Sequence, residues 1–284
     1  MGTIAITADS GADLTKRDCL RLGVKVAPFH LTLAGGHFDD GEMNVEDMLA
    51  LCDEKREVPK TSACSPMDYE LLFRSVREER PSAEILHLGY SAATTSSFEA
   101  ARAATKGQPG IVCVDTKSAT GAYGLIVGKV AEFVERNPGT RLQDVAAFSD
   151  DLARRIRMGF IPGDLRFLKA GGRLTNAEFL AAQLLNVKPV VEMIDGVLVA
   201  TRKMRGSMAK VGRKFLDDFL EREEIADGQV VLIWSTGLDQ NVRDLAEKRV
   251  HEHGIRKASW VKTGCVVTSH CGPGALGCAF LSTD

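Results

Sequence analysis

The sequence predicts an α/β fold in two domains. Residues 1–157 form an N-terminal, mostly parallel β/α sheet, and residues 158–284 form a smaller C-terminal α/β domain with a β-hairpin. Three observations predict it. Through the first half, short β-branched runs alternate with helical stretches, a pattern that builds a parallel sheet covered by helices on both faces. Near residue 157 the alternation gives way to RMGFIPGDLRFLKAGGRLT, rich in glycine and basic residues. Beyond it, Asp195-Gly196 stands between two apolar runs and turns a tight hairpin.

The elements follow in order. TIAITAD is short and β-branched and ends at Asp9-Ser10-Gly11, so it reads as a buried strand. ADLTKRDCLRLG is a short helix stopped by Gly23, and VKVAPFHLTLA is strand-like. Val45–Lys55 is helical with Asn44 as N-cap. In SPMDYELLFRSVREE, Ser65 is the N-cap and Pro66 takes the first helical position, where its missing N–H costs nothing. Strand Glu84–Leu88, helix Ser97–Thr105, strand GIVCVD, helix Ala122–Glu135 and helix Leu142–Arg157 complete the first half. After the hairpin come helix Ser207–Glu223, strand QVVLIWS, helix Gln240–Glu252 and strand KASWVKT. The last segment, CVVTSHCGPGALGCAFL, reads as an apolar strand ending at His270, a Gly-Pro-Gly turn and a helix of small residues.

Composition excludes several classes. With 284 residues, 44% hydrophobic and 26% charged, the chain can bury a sizeable core. A formal net charge of −2 gives no bulk argument for nucleic acid. Seven cysteines, none as C-x-x-C and several in apolar runs, read as buried reduced thiols in a cytoplasmic protein. MGTIAITADS has no secretory pattern, and no run is apolar enough for an integral membrane segment. No second His or Cys stands at ligand spacing from His270-Cys271, so no metal is expected. The usual nucleotide-binding glycine patterns are missing as well.

The chemistry concentrates in four stretches. GYSAATTSSFEAA places Ser91, Thr94, Thr95, Ser96 and Ser97 where a strand hands over to a helix. A helix N-terminus favours an anion, and hydroxyls add neutral donors, so this stretch can cradle a carboxylate or phosphate; capping alone is the plainer alternative. KTSACSPMDY is a second hydroxyl-rich helix start, with Thr61 and Ser62 ahead of the cap. LRFLKAGGRLT carries Arg166, Lys169 and Arg173 around Gly-Gly, and TRKMRGSMAK carries Arg202, Lys203, Arg205 and Lys210; each is a solvated basic face or an anion contact. TSHCGPGALG sets His270 beside a tight turn. A rival use of the first stretch is a serine esterase. GYSAA is one residue from the G-x-S-x-G nucleophile elbow, with His270 downstream and Asp115 or Asp239 between as the acid, but Ala93 replaces the second glycine.

ADSGADL, TSACSPMDY, GYSAATTSSFEAA, VDTKSATGAYG, LRFLKAGGRLT, LLNVKPVV, KMRGSMAK and SHCGPGALG occur in one order over essentially the full length. Together they resemble the DegV family, bacterial fatty-acid-binding proteins that include the binding subunit of fatty acid kinase. The resemblance implies two α/β domains and an apolar tunnel holding one fatty acid, with no other cofactor. It implies a non-catalytic lipid-binding protein, or a sensor or store without a kinase partner. In the first case a separate kinase phosphorylates the bound acid, feeding phospholipid metabolism. Residue by residue, it carries the carboxylate contacts to Thr61, Ser62, Thr94 and Ser96, and the head-group, phosphate or kinase-facing roles to Arg173, Arg205 and His270. The family's Gln-Pro after Thr-Ser is Ala63-Cys64 here, and its Ser-Gly-Thr-Tyr is Thr94-Thr95-Ser96-Ser97.

Overall fold

A computed structural model describes residues 4–173 and 187–283. Thr3 and the motif residues Leu174, Thr175 and Leu184-Leu185-Asn186 lie outside the described residues. The first half runs β1 (Ile4–Asp9), α1 (Lys16–Leu22), β2 (Val24–Ala27), β3 (His30–Leu33), β4 (Gly36–Asp39), α2 (Val45–Lys55), β5 (Lys60–Ser62), α3 (Pro66–Glu79), β6 (Glu84–Gly89), α4 (Ser97–Ala104), β7 (Ile111–Asp115), α5 (Thr120–Arg136) and α6 (Leu142–Arg155). The second runs β8 (Ile156–Ile161), α7 (Leu165–Gly171), β9 (Val187–Ile194), β10 (Val197–Arg205), α8 (Met208–Leu220), β11 (Gln229–Trp234), α9 (Gln240–Glu252), β12 (Lys257–Lys262), α10 (Cys265–Cys271) and β13 (Leu276–Leu281).

The first sheet has the order β2-β1-β6-β7, and every pair in it is parallel. Its strands are apolar on both faces because helices cover both. Ala5 and Ile85 pack against Leu72, Phe73 and Val76 of α3 and Ala101 of α4. Ile4, Ile6, Leu86 and Leu88 pack with Ile126, Val127 and Val130 of α5 and Val145 of α6. The helix starts follow the sequence. Asn44 caps α2, and Ser65 and Asp68 close a capping box on α3 with Pro66 in the first turn.

The second sheet is mixed, with the order β10-β9-β8-β13-β11-β12. β9 and β10 are the antiparallel hairpin turned by Asp195-Gly196. On one face lie α8 and α9, with Phe215, Phe219, Val242 and Val250 in the core. The other face shares a core with α5, where Val231, Ile233 and Ala279 meet Ile126 and Val130. A three-stranded antiparallel sheet, β4-β3-β5, packs with Met48 of α2, Phe167 of α7 and Cys265 of α10.

Three elements differ from the sequence expectation. The helix expected to reach Arg157 ends at Arg155, and β8 follows, with Ile156, Met158 and Phe160 alternating onto one buried face. The strand-like run 24–34 breaks at Pro28-Phe29, so β2 joins the parallel sheet and β3 the small one. The last segment is reversed: Cys265–Cys271 is helix, and the segment after Gly-Pro-Gly is strand β13. Tertiary contacts override the β-branched pattern there. Half-buried aspartic side chains receive the amides at the start of α10, with Gly264 N–H donating to Asp13 Oδ1 at 2.8 Å. β13 fills the slot between β8 and β11, antiparallel to both and buried along its whole length.

Candidate functional site

Four segments bring polar side chains to one end of a cavity over one face of the six-stranded sheet. β5 carries Thr61 and Ser62, the turn after β6 carries Tyr90, Thr94 and Thr95, the turn after α7 carries Arg173, and the last turn of α10 carries His270. The two hydroxyl-rich helix starts are joined directly, because Cys64 N–H donates to Ser97 Oγ at 3.1 Å. Tyr90 is fixed from behind: Asp9, fully buried, accepts its N–H at 2.7 Å and the Tyr69 hydroxyl at 2.5 Å.

His270 Nε2 lies 2.9 Å from Thr61 Oγ1. Its Nδ1 is buried without a partner, facing Gly171, where a Cβ would stand 2.3 Å away. Burial, and then the charge of Arg173, push the imidazole down to about 4. It is therefore neutral near neutral pH. Arg173 is turned aside, its Nε donating to Thr94 O at 3.2 Å and its Nη1 to Gly171 O at 2.7 Å. Among the described lining residues it is the one permanent cation.

The rest of the wall is apolar. Met158 and Phe160 of β8, Leu198 of β10, Ile233 and Trp234 of β11, and Val266 and Val267 of α10 supply most of it. Reckoned to its open mouth, the empty space is about 920 Å³. Gly163 lets the chain close around the site, since a Cβ there would lie 1.8 Å from Pro273 O, where the β8–α7 and α10–β13 connections cross.

Of the residues singled out in sequence, the structure brings Thr61, Ser62, Thr94, Arg173 and His270 together. Ser96 is exposed, directly before α4, and does not line the cavity. Arg205 is exposed at the end of β10 and does not line it either. Thr95 lines the wall instead and also accepts Ser97 N–H at 3.3 Å, tying down the start of α4. Tyr90, Thr120 and Thr263 were missed; only Thr95 carried a signal, lying in the same hydroxyl run. The Ser91–His270 dyad of an esterase is not formed. Ser91 is fully buried and donates to Gly196 O at 2.6 Å, while the imidazole Nε2 pairs with Thr61. Among the described residues no cluster of three or more His, Cys, Asp or Glu could hold a metal, and no helix is long and apolar enough to cross a membrane. All seven cysteines are free.

Fold and site define an α/β protein of two larger sheets and one small one, enclosing an apolar cavity with a hydroxyl-lined polar end. The model of the family described as "Uncharacterised protein, DegV family" matches residues 3–283, and the chain belongs to the DegV family. A DegV domain-containing protein of Deinococcus radiodurans is 26% identical over 98% of both chains. Among solved structures, a fatty-acid-binding DegV family protein from Thermus thermophilus is 28% identical, with a TM-score of 0.86 over 99% of each chain. A stearic-acid-binding protein from Eubacterium ventriosum has the same fold, at 23% identity and a TM-score of 0.79, over 99% of this chain and 98% of its own.

Proposed function

We propose that the protein binds a long-chain fatty acid and presents its carboxylate to a separate kinase, without being the catalyst itself. The tail lies in the apolar cavity, and the head sits among Thr61, Ser62 and Thr94, with Thr95 in place of Ser96. The observation that carries this reading is the neutral polar end: hydroxyls and an uncharged His270 close an apolar cavity whose one cation among the described lining residues, Arg173, is engaged with backbone carbonyls. Burying a carboxylate is costly unless it is hydrogen-bonded, and hydroxyl donors meet that need. Each buried methylene contributes about 0.8 kcal/mol, so about 14 of them supply about 11 kcal/mol before ordering costs. A carboxylate held by hydroxyls keeps an oxygen free for an incoming phosphoryl group. Arg205, exposed on β10, is then a kinase-facing group, and Arg173 and His270 flank the head. Seven free thiols suit a reducing cytoplasm.

Native mass spectrometry of protein purified from cells is expected to show a retained mass of about 250–290 Da, released by delipidation and regained from added fatty acid. A delipidated protein that takes up no fatty acid refutes the binding. With a fatty acid kinase and ATP, acyl-phosphate is expected to form. Its loss in Arg205→Ala and His270→Ala, with lipid still bound, supports the presenting role; formation at the wild-type rate in both variants refutes those two assignments.

A further inference from the structure

We propose that Met158 sets the length of chain the cavity accepts, an inference that rests on the fatty-acid reading above. β8 runs toward the polar end. Beyond Ile161, Gly163 N–H donates to Cys271 O at 3.0 Å, next to His270, whereas Ile156 lies at the far end of the strand. Met158 therefore stands one pleat beyond Phe160, about 7 Å further from the head group. Its side chain shares the cavity face with Ile156 and Phe160 and is 6% exposed.

At that level the sheet opens. β8 and β9 pair only at Gly159–Glu192 and Phe160–Val191. Past those two pairs, Ile156–Met158 and residues 193–196 of the hairpin line a fissure open to solvent. The fissure is mixed: the ion pairs Arg157–Glu223 and Arg222–Glu192 share its walls with Ile156, Met193, Phe219 and Phe280. Among the described residues Met158 is the one side chain that lines both the cavity and the fissure. It is the partition between an apolar space and one whose walls carry two ion pairs. A tail reaching it must stop, because the next methylenes would displace the thioether or enter the open fissure without the gain of burial. An unbranched thioether is a deformable stop, suited to a narrow range of lengths rather than one length.

The test loads delipidated wild type, Met158→Ala and Met158→Phe with an equimolar series of straight-chain acids of about 12 to 22 carbons and reads the retained species by native mass spectrometry. Met158→Ala removes three heavy atoms and is expected to move the preferred length up by about two carbons; Met158→Phe is expected to move it down by a similar step. Should Met158→Ala not fold, Met158→Phe tests the point alone. Wild type that retains acids while the folded variants keep its length profile overturns the inference and leaves the binding reading intact. Wild type that retains none overturns both.

Discussion

Acidification is expected to weaken the ligand-free protein through His270. Its imidazole is held down to about 4 in the folded chain, against 6.5 ordinarily. Between those values the unfolded chain binds the extra proton, so stability is intact above about pH 6.5 and is lost as pH falls toward 4. From about pH 7 to pH 4.5 the loss works out at about 2 kcal/mol. Asp13 acts with the opposite sign. Burial, reinforced by Asp40 and opposed by the Thr120 and Gly264 hydrogen bonds, pushes its carboxyl up to about 8. Its contribution is full below about 3.8 and is lost as pH rises through 8. A pH curve of wild type alone therefore mixes two opposed slopes. Comparison with His270→Gln, whose amide can still reach Thr61, isolates the histidine. Urea titrations followed by tryptophan fluorescence across the range are expected to show the variant losing about 2 kcal/mol less than wild type on acidification. Parallel curves would refute the neutral, buried imidazole on which the polar end depends.

Other outcomes follow from the same contacts. Asp13→Asn is expected to flatten the decline between about pH 6.5 and 8, by up to about 2 kcal/mol in urea midpoint comparisons, because the amide cannot ionise. Thr61→Val removes the hydroxyl beside His270 and is expected to weaken fatty acid binding about tenfold by calorimetry, with little change in Tm. Gly163→Ala forces a Cβ onto the Pro273 carbonyl and is expected to cost more than about 3 kcal/mol in thermal unfolding, since backbone on both connections must move. Ser97→Ala leaves the buried Cys64 N–H without a partner and is expected to destabilise by about 1–3 kcal/mol.

The parallel sheet and most helix boundaries were legible because local chemistry and tertiary structure agree there. Asn44, Ser65 and Pro66 each sit where their capping geometry places them. β8 was hidden because it follows α6 with no intervening residue, so the alternation of Ile156, Met158 and Phe160 begins inside the expected helix. α10 and β13 were exchanged because neither is set by its own residues. The helix start is held by carboxylates far away in sequence, and the strand is buried on both faces, so it shows no period. At the site, residue types were legible and directions were not. The hydroxyl run announced a polar wall, but turn geometry decided that Thr94 and Thr95 face inward while Ser96 faces out.

The two departures from the pattern of the resemblance, at Cys64 and Ser97, meet in one contact. A proline at the position of Cys64 has no N–H, and a tyrosine at the position of Ser97 has no hydroxyl close to its backbone. Here the cysteine supplies the N–H and the serine the acceptor, and they bond across the junction of the two helix starts at 3.1 Å. Cys64 Sγ also reaches Pro28 O at 3.0 Å, anchoring the same loop to the end of β2. Thr95 completes the exchange. It stands where the pattern has glycine, yet it is not among the residues of positive φ, so its backbone needs no glycine, and its hydroxyl holds the start of α4. The junction beside Thr61 and Thr94 is thus held by bonds that a proline and a tyrosine at these positions could not make, while Thr61, Thr94 and Thr95 face the cavity.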